Sequence, residues 1–277
     1  MHTANRMNPL AFGNALLCVL CLLAVAAGAA RAQPAADWAS QICPAGATGD
    51  CYVRLDHPEN CYFWRPGPRL ETKSATRSWS GACEDGLAQG EGTLTSDRQG
   101  RLAKVIGSVE KGRPHGSWVG LWSNGTIREG PYRDGKKHGP WIERLPGGTV
   151  AEGPYRDGKK HGPWVWRRPD GNVVGGPYRG GRKHGPWVEQ LPDGTVVEGP
   201  YRDGQKHGLW IEKLPSGTVV EGPYRDGQKH GLWVERSSSG AVKEGPYQEG
   251  KRHGPWVWRL SDGTVYETKY RNGEPVR

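Results

Sequence analysis

Residues 152–164 read EGPYRDGKKHGPW. Close copies of this stretch begin at Glu129, Glu198, Glu221 and Glu244. Tyr, His and Trp recur together at a fixed step of 23 residues, and seven copies run from about Val109, with an eighth cut short after Tyr270. A fixed period of this size predicts an array of repeated structural units.

Each copy carries one tyrosine and one tryptophan that define the repeat. These residues are Tyr132, Trp141, Tyr155, Trp164, Tyr178, Trp187, Tyr201, Trp210, Tyr224, Trp233, Tyr247 and Trp256. An exposed series of rings could stack sugars or single-stranded nucleic acid. Rings buried against one another are the commoner arrangement, so we predict a structural core and no nucleic-acid partner.

Every copy holds two turn signals and two strand signals. The segments RDGKKHG and LPDGTV contain turn dipeptides such as Asp157-Gly158 and Asp193-Gly194. The runs TVVEGPY (195–201) and PWVEQLP (186–192) suit strands, whereas frequent Gly and Pro argue against helices. We predict an all-β fold, an elongated single-layer meander of antiparallel β-hairpins that advances ~9.6 Å per copy and roughly 65 Å over seven copies.

Period-2 alternation assigns the faces of this sheet. Val197, Gly199 and Tyr201 share one side of their strand, and Trp187 and Glu189 share one side of the partner strand. If the Tyr and Trp rows meet, one face is an aromatic ladder in which glycines make room for the rings. The other face then mixes Val and Ile with Glu and Arg, and must curl, dimerise or bind a partner.

A proline precedes the tyrosine in most copies and conflicts with a strand there, because proline cannot donate to a ladder. These prolines are Pro131, Pro154, Pro177, Pro200, Pro223 and Pro246. A bulge, or a strand that begins only at the tyrosine, would resolve the conflict.

The N-terminal sequence indicates export. The apolar run Ala15–Ala27 and the small-x-small sequence Ala30-Arg31-Ala32 predict a signal peptide over residues 1–32, cleaved after Ala32. Residues 33–78 are predicted to form a small cysteine-containing cap, residues 79–108 a single repeat of a different type, and residues 109–277 the array. A periplasmic and an extracellular destination both fit.

Four cysteines remain after cleavage, and all precede the array. An even number in an exported chain predicts two disulfides, whereas a four-thiolate metal site lacks any C-x2-C pair. Of the three possible pairings we favour Cys43–Cys51 and Cys61–Cys83.

The recurring histidines allow two roles. They are His138, His161, His184, His207, His230 and His253. A zinc site needs nitrogens about 2.0–2.1 Å from one ion, but neighbouring copies lie ~9.6 Å apart, so no metal is predicted. A structural role in the turn is expected, and a pH-sensing role is a second hypothesis because imidazole titrates near pH 6.5.

Basic residues beside the histidines form the candidate binding row. They are Lys136, Lys137, Lys159, Lys160, Arg182, Lys183, Lys206, Lys229, Lys251 and Arg252. Residues 109–277 hold 28 Lys/Arg against 20 Asp/Glu, so the excess positive charge belongs to the array. Such a surface attracts lipid head groups or acidic polymers, although it could also be a solvated edge partly neutralised by Asp134 and Asp157.

The segment Trp79–Gly92 has the rhythm W-x-G-x4-G-x3-G-x-G and resembles a MORN (membrane occupation and recognition nexus) repeat. The 23-residue copies resemble the variant MORN repeat of bacterial proteins, including antitoxin-like ones. Tyr132, Gly135, Gly139 and Trp141 match its structural positions. The resemblance implies an elongated sheet without a catalytic site, whose repeats bind proteins or phospholipid head groups or assist dimerisation.

We therefore expect an exported, non-enzymatic repeat protein without cofactors or catalytic residues. Its predicted function is to bind an envelope protein or an anionic envelope component. The alternatives are a self-associating scaffold, including a homodimer, and a neutraliser of a protein toxin, the latter on the family resemblance alone.

Overall fold

A computed structural model describes residues 51–65, 75–98 and 100–276. All of these residues lie in one compact unit, Ser40–Arg277. Their regular elements are all β-strands, and this described part contains no helix long and apolar enough to cross a membrane. The predicted signal peptide, residues 1–32, lies outside the described residues.

Seven strands precede the regular array. They are β1 (Cys51–Arg54), β2 (Tyr62–Arg65), β3 (Ala75–Trp79), β4 (Ala82–Glu84), β5 (Leu87–Arg98), β6 (Arg101–Glu110) and β7 (Arg113–Trp122).

The array repeats a long strand that carries the tyrosine, a two-residue strand, and a strand that carries the tryptophan. The Tyr strands are β8 (Ile127–Arg133), β11 (Val150–Arg156), β14 (Val173–Arg179), β17 (Val196–Arg202), β20 (Val219–Arg225), β23 (Val242–Gln248) and β26 (Val265–Arg271). The two-residue strands are β9 (Lys136–Lys137), β12 (Lys159–Lys160), β15 (Arg182–Lys183), β18 (Gln205–Lys206), β21 (Gln228–Lys229) and β24 (Lys251–Arg252). The Trp strands are β10 (Gly139–Arg144), β13 (Gly162–Arg167), β16 (Gly185–Gln190), β19 (Gly208–Lys213), β22 (Gly231–Arg236) and β25 (Gly254–Arg259), and β27 (Glu274–Val276) follows β26.

Strand pairing confirms the predicted meander. Each Trp strand pairs antiparallel with the Tyr strand of its own copy and with that of the next, as β10 does with β8 and β11. The pairing of β2 with β5, through Tyr62 and Leu87, is parallel. The array is thus an elongated single layer, and its two long edges are formed by two kinds of turn.

The first-turn edge consists of the Asp-Gly turns between the Tyr strands and the two-residue strands. Asp157 and Gly158 have φ of 51° and 81°, so both occupy the left-handed region that a tight two-residue hairpin requires. The second-turn edge consists of the turns after the Trp strands. There the Asp193 carboxylate accepts a hydrogen bond from the Thr195 N–H at 2.9 Å, and Gly194 has a φ of 88°. Both predicted turns are confirmed.

A bulge in every copy resolves the proline conflict. Tyr132 pairs with Lys137 and Glu129 pairs with Ile142, so two residues of β8 face four residues of the returning chain, 138–141. The Pro131 carbonyl accepts the His138 N–H at 2.9 Å and the Trp141 indole N–H at 2.9 Å. Proline is tolerated here because its missing N–H faces the bulge, where no ladder bond is made.

On the other side of the strand, prolines face each other across the sheet. Pro154 pairs with Pro140 of the preceding Trp strand. The N–H and C=O of one residue point to the same side of a strand, and the Pro154 carbonyl points at His161. No donor is therefore required toward Pro140, and the Tyr strand runs unbroken through the proline.

The glycine before each of these prolines accommodates the tryptophan ring. A Cβ atom added to Gly176 would lie 2.5 Å from the Trp187 ring, which is closer than carbon atoms pack. The equivalent pairs are Gly107–Trp118, Gly130–Trp141, Gly153–Trp164, Gly199–Trp210, Gly222–Trp233 and Gly245–Trp256. The expectation that glycines make room for the rings is confirmed.

The N-terminal strands cover the first end of the aromatic face. Phe63 contacts Trp79 and Trp118, with ring centroids 6.1 and 6.2 Å apart, and joins the buried Leu55 and Cys61 in one cluster. The predicted Cys61–Cys83 disulfide is confirmed. Cys51 is also disulfide-bonded, and Cys43, its predicted partner, lies outside the described residues.

Adjacent glycines of β14 provide a matched test of the ring-over-glycine contact. We expect Gly176→Ala to lower the free energy of unfolding by about 1–3 kcal/mol, because the methyl group overpacks against Trp187. Gly175→Ala should be neutral or slightly stabilising, because Gly175 lies on the opposite face and other copies carry Glu there. Denaturant unfolding of both variants checks this, and equal midpoints would contradict it.

Candidate functional site: the two faces of the sheet

Tyrosine and tryptophan alternate in one continuous ladder on the aromatic face. Neighbouring rings meet mostly edge to face, with centroids 5.2 Å apart for Tyr132 and Trp141 and 5.9 Å apart for Trp141 and Tyr155. Trp141 and Trp164 are only 3% and 0% exposed. Each such pair contributes about 0.5–1.5 kcal/mol beyond its buried area. The rings therefore form the core of the array.

One cation per copy lies on this ladder. The Lys137 ammonium is 3.9 Å from the ring centroid of Trp141 and 4.7 Å from that of Tyr155. The equivalent cations are Lys160, Lys183, Lys206, Lys229 and Arg252. Burial lowers the pKa of Lys137 below its usual value, against the opposing effect of Glu143. These cations are half-buried parts of the aromatic face.

Acidic groups neutralise part of this charge at the start of the array. Glu143 lies 3.2 Å from the Lys137 ammonium and 3.8 Å from the Arg128 guanidinium, and it accepts a hydrogen bond from the Tyr155 hydroxyl at 3.3 Å. Burial raises the pKa of Tyr132 to about 12, and it also raises the pKa of Tyr155. Glu143 thus balances part of the positive charge of the aromatic face at the start of the array.

The first residue of each two-residue strand lies on the opposite face, where in five of the six copies it faces an arginine across the hairpin. The sequence placed both residues of each pair in one row, but consecutive strand residues point to opposite faces. The cross-strand partners are Arg133 with Lys136, Arg156 with Lys159, Arg179 with Arg182, Arg202 with Gln205, Arg225 with Gln228, and Gln248 with Lys251. We call the cations of this set, which follow the first-turn edge, the basic strip.

Positive charge on the basic strip is greatest in its first three rungs. Asp157 lies 3.5 Å from the Arg133 guanidinium and Asp203 lies 3.6 Å from that of Arg179, and all four side chains are more than half exposed. Such exposed pairs are weak. Glycine, Gly180, replaces the aspartate that would meet Arg156, and Arg156 forms no ion pair with any described residue.

Further along the same strands, charges are paired. Arg144 donates to Glu129 at 2.7 Å and Lys213 to Glu198 at 2.7 Å, and the equivalent pairs are Arg167–Glu152, Arg236–Glu221 and Arg259–Glu244. One copy has lost both partners together, with Gly175 in place of the acid and Gln190 in place of the base. The charges of this part of the face are therefore balanced in pairs, and the excess of positive charge lies nearer the first-turn edge.

The histidines lie at the bulges rather than in the Asp-Gly turns. His138 Nδ1 is enclosed, and lies 3.5 Å from the Asp157 carboxylate of the next copy. His184 has the same relation to Asp203. The part of the chain that the structure describes contains no group of three or more His, Cys, Asp or Glu side chains arranged to hold a metal ion.

No family model matches the chain, and no curated protein matches it in sequence. Among solved structures, the TCP domain of SAS-4 (dCPAP) of Drosophila melanogaster, in complex with a proline-rich motif of Ana2 (dSTIL), is 14% identical with a TM-score of 0.34, over 56% of this chain and 84% of that chain. The TCP10 domain of Danio rerio CPAP is 15% identical with a TM-score of 0.32, over 75% and 96%. TM-scores this low do not establish a shared fold.

Alkaline titration should report the burial of the ladder. The tyrosines with raised pKa are Tyr132, Tyr155, Tyr178, Tyr201 and Tyr224. Because burial favours the neutral phenol, their stabilising contribution is complete below pH ~10 and is lost as the pH rises through the folded-state pKa.

We expect tyrosinate absorbance in the native protein to develop partly well above pH ~10, and in denaturing guanidinium to develop in one transition near it. Circular dichroism at each pH controls for alkaline unfolding. Superimposable native and denatured curves, with the fold retained, would contradict the burial described above.

Proposed function

We propose that this chain is an exported, non-enzymatic repeat protein of the MORN type that binds an anionic membrane surface through the basic strip. The observation that carries the proposal is the set of neighbouring rungs in which two cations face each other. These rungs are Arg133–Lys136, Arg156–Lys159 and Arg179–Arg182.

Like charges directly opposite each other in a sheet are destabilising. The array nevertheless has three such rungs in succession, and beside Arg156 the compensating aspartate is replaced by Gly180. Anionic groups of a ligand would remove this repulsion. The unfavourable arrangement of the free protein therefore supports a role in binding rather than in stability.

The geometry of the strip suits a flat surface. Successive rungs are separated by two strand spacings, or ~9.6 Å, and all lie on one face of a single-layer sheet. Each basic residue close to an anionic membrane contributes about 1 kcal/mol, and salt weakens this attraction. Three adjacent rungs would together give substantial affinity.

Exposed aliphatic side chains on the same face favour a lipid surface over a purely polar polymer. Val188, Leu209 and Leu232 are 46%, 53% and 56% exposed and lie on the strand face opposite the tryptophans. Leu209 and Leu232 follow Gln205 and Gln228, so these apolar side chains continue the face beyond the three basic rungs. A face that carries both basic and apolar side chains is typical of surfaces that bind at the membrane interface.

The predicted signal peptide and the cysteine usage support an envelope location. Disulfides persist in oxidising compartments such as the periplasm or the cell exterior. The Cys61–Cys83 disulfide joins the residue that precedes β2 to strand β4, within the N-terminal strands. The surface we propose is therefore an anionic leaflet that faces such a compartment.

Vesicle co-sedimentation tests the proposal. We expect the protein to bind phosphatidylglycerol vesicles and not phosphatidylcholine vesicles, with binding that weakens as salt is added. Arg156→Glu with Lys159→Glu should weaken binding by roughly tenfold or more, because it reverses the central rung.

The matched control is Arg101→Glu with Arg168→Glu. It changes the net charge equally at two exposed arginines near the second-turn edge. If the two double variants lose binding equally, overall charge rather than the strip is responsible. Binding to soluble polyphosphate but not to vesicles would identify a polymer ligand instead, and would overturn the membrane assignment.

A further inference from the structure

A pocket of about 230 Å³ opens on the aromatic face at the start of the array. Its walls include the rings of Trp118, Trp122, Tyr132 and Trp141. Phe63 and Trp64 of β2 close it from the side of the N-terminal strands. The pocket is therefore bounded by aromatic rings from two parts of the fold.

Three residues that line this pocket differ from the residues at the equivalent positions of the later copies. Gly120 stands where the following copies have Glu143, Trp166, Glu189, Glu212, Glu235 and Trp258. Arg128 stands where they have Ala151, Val174, Val197, Val220, Lys243 and Tyr266. Trp122 stands where most of them have leucine. All three departures line the pocket, so this copy differs from the repeat where the pocket requires it.

The charge of the lining is positive. Arg128 and Lys137 line the pocket, and its described lining contains no acidic residue. The Arg128 guanidinium lies 5.0 Å from the ring centroid of Trp122, and its nearest acid, Glu143, is 3.8 Å away and shared with Lys137. One carboxylate thus serves two cations, which leaves the pocket with a net attraction for an anion.

Two residues of the lining each carry an enclosed hydrogen-bond donor. Arg128 Nε is inaccessible to solvent, lies 3.8 Å from Glu143 Oε1, and makes no hydrogen bond with a described residue. The indole nitrogen of Trp64, whose side chain is 7% exposed, is also inaccessible to solvent and makes no hydrogen bond with a described residue. Unsatisfied buried donors are rare and cost about 1–3 kcal/mol each, and an acceptor on a ligand would relieve this cost.

We propose that this pocket binds a small planar aromatic carboxylate, with its ring between the aromatic walls and its carboxylate on Arg128. A cavity of about 150 Å³ accommodates benzene, so the volume here suits one or two fused rings. Arginine pairs with carboxylates through two parallel hydrogen bonds. The site is separate from the basic strip, which lies on the opposite face of the sheet.

Calorimetric titration of the full chain with 2-naphthoate tests the proposal, and 2-naphthamide is the neutral comparison. We expect naphthoate to bind and the amide to bind at least about tenfold more weakly, since a charge-assisted hydrogen bond is lost. Arg128→Val introduces the residue found at three equivalent positions, and should weaken naphthoate by about tenfold or more while leaving the amide unchanged.

Arg156→Val is the matched control, because it removes the same charge from the other face and should leave naphthoate binding intact. Gly120→Glu with Trp122→Leu restores the pattern of the next copy, Glu143 and Leu145, and should abolish binding of both ligands, because it places a carboxylate in the pocket beside Arg128 and removes one ring wall. Denaturant midpoints verify that each variant is folded.

Equal affinities for naphthoate and naphthamide, or unchanged naphthoate binding in both pocket variants, would overturn the proposal, as would the absence of naphthoate binding to the parent chain. Vesicle binding should be unaffected by Arg128→Val, and naphthoate binding should be unaffected by reversal of Arg156 and Lys159. Failure of one site is thereby distinguishable from failure of the other.

Discussion

The indole of each tryptophan, lying over a bare glycine and donating to a proline carbonyl, is the contact on which the array depends. Trp187 packs on Gly176 and donates to Pro177 at 3.1 Å. This geometry requires the bulge, because only there does the proline carbonyl turn away from the regular ladder. It also fixes the ring between the tyrosines of two copies, Tyr178 and Tyr201. Glycine and tryptophan are thus parts of one interaction, whereas the carbonyl can come from another residue, as it does from Ser108 for Trp118 in the first copy.

Because of this contact, the basic residues of the two faces have different surroundings. On the aromatic face the cations pack against the rings of the same face, and the Lys183 ammonium lies 4.0 Å from the ring centroid of Trp187. The opposite face has no such rings, so Arg156 and Lys159 are left to solvent and to ligands. Because alternate residues of a strand take opposite faces, one short basic stretch supplies both a structural and a surface cation.

The period and its alternation predicted the strands, both turns, the aromatic ladder and the room left by glycine. They left two resolutions of the proline conflict open, a bulge or a strand that begins at the tyrosine, because the choice depends on bonds such as that from the Trp141 indole to the Pro131 carbonyl; the structure has the bulge. The separation of Lys136 from Lys137 was available from the same alternation that placed the rings. The pocket could have been found by aligning the copies, since Gly120 and Arg128 break the pattern, but its closure by Phe63 and Trp64 depends on tertiary packing that no repeat encodes.

The links between copies all join neighbours. Gly158 donates its N–H to the Lys137 carbonyl of the preceding copy at 2.9 Å, and the ladder passes from Trp141 to Tyr155 in the same way. Stability in such a chain is a sum of per-copy and nearest-neighbour terms, and folding can start at any link. The number of copies can therefore vary without a change in the contacts between neighbouring copies. Removing 23 residues removes one copy and keeps the register of the others, so the length of the array can be changed in whole copies.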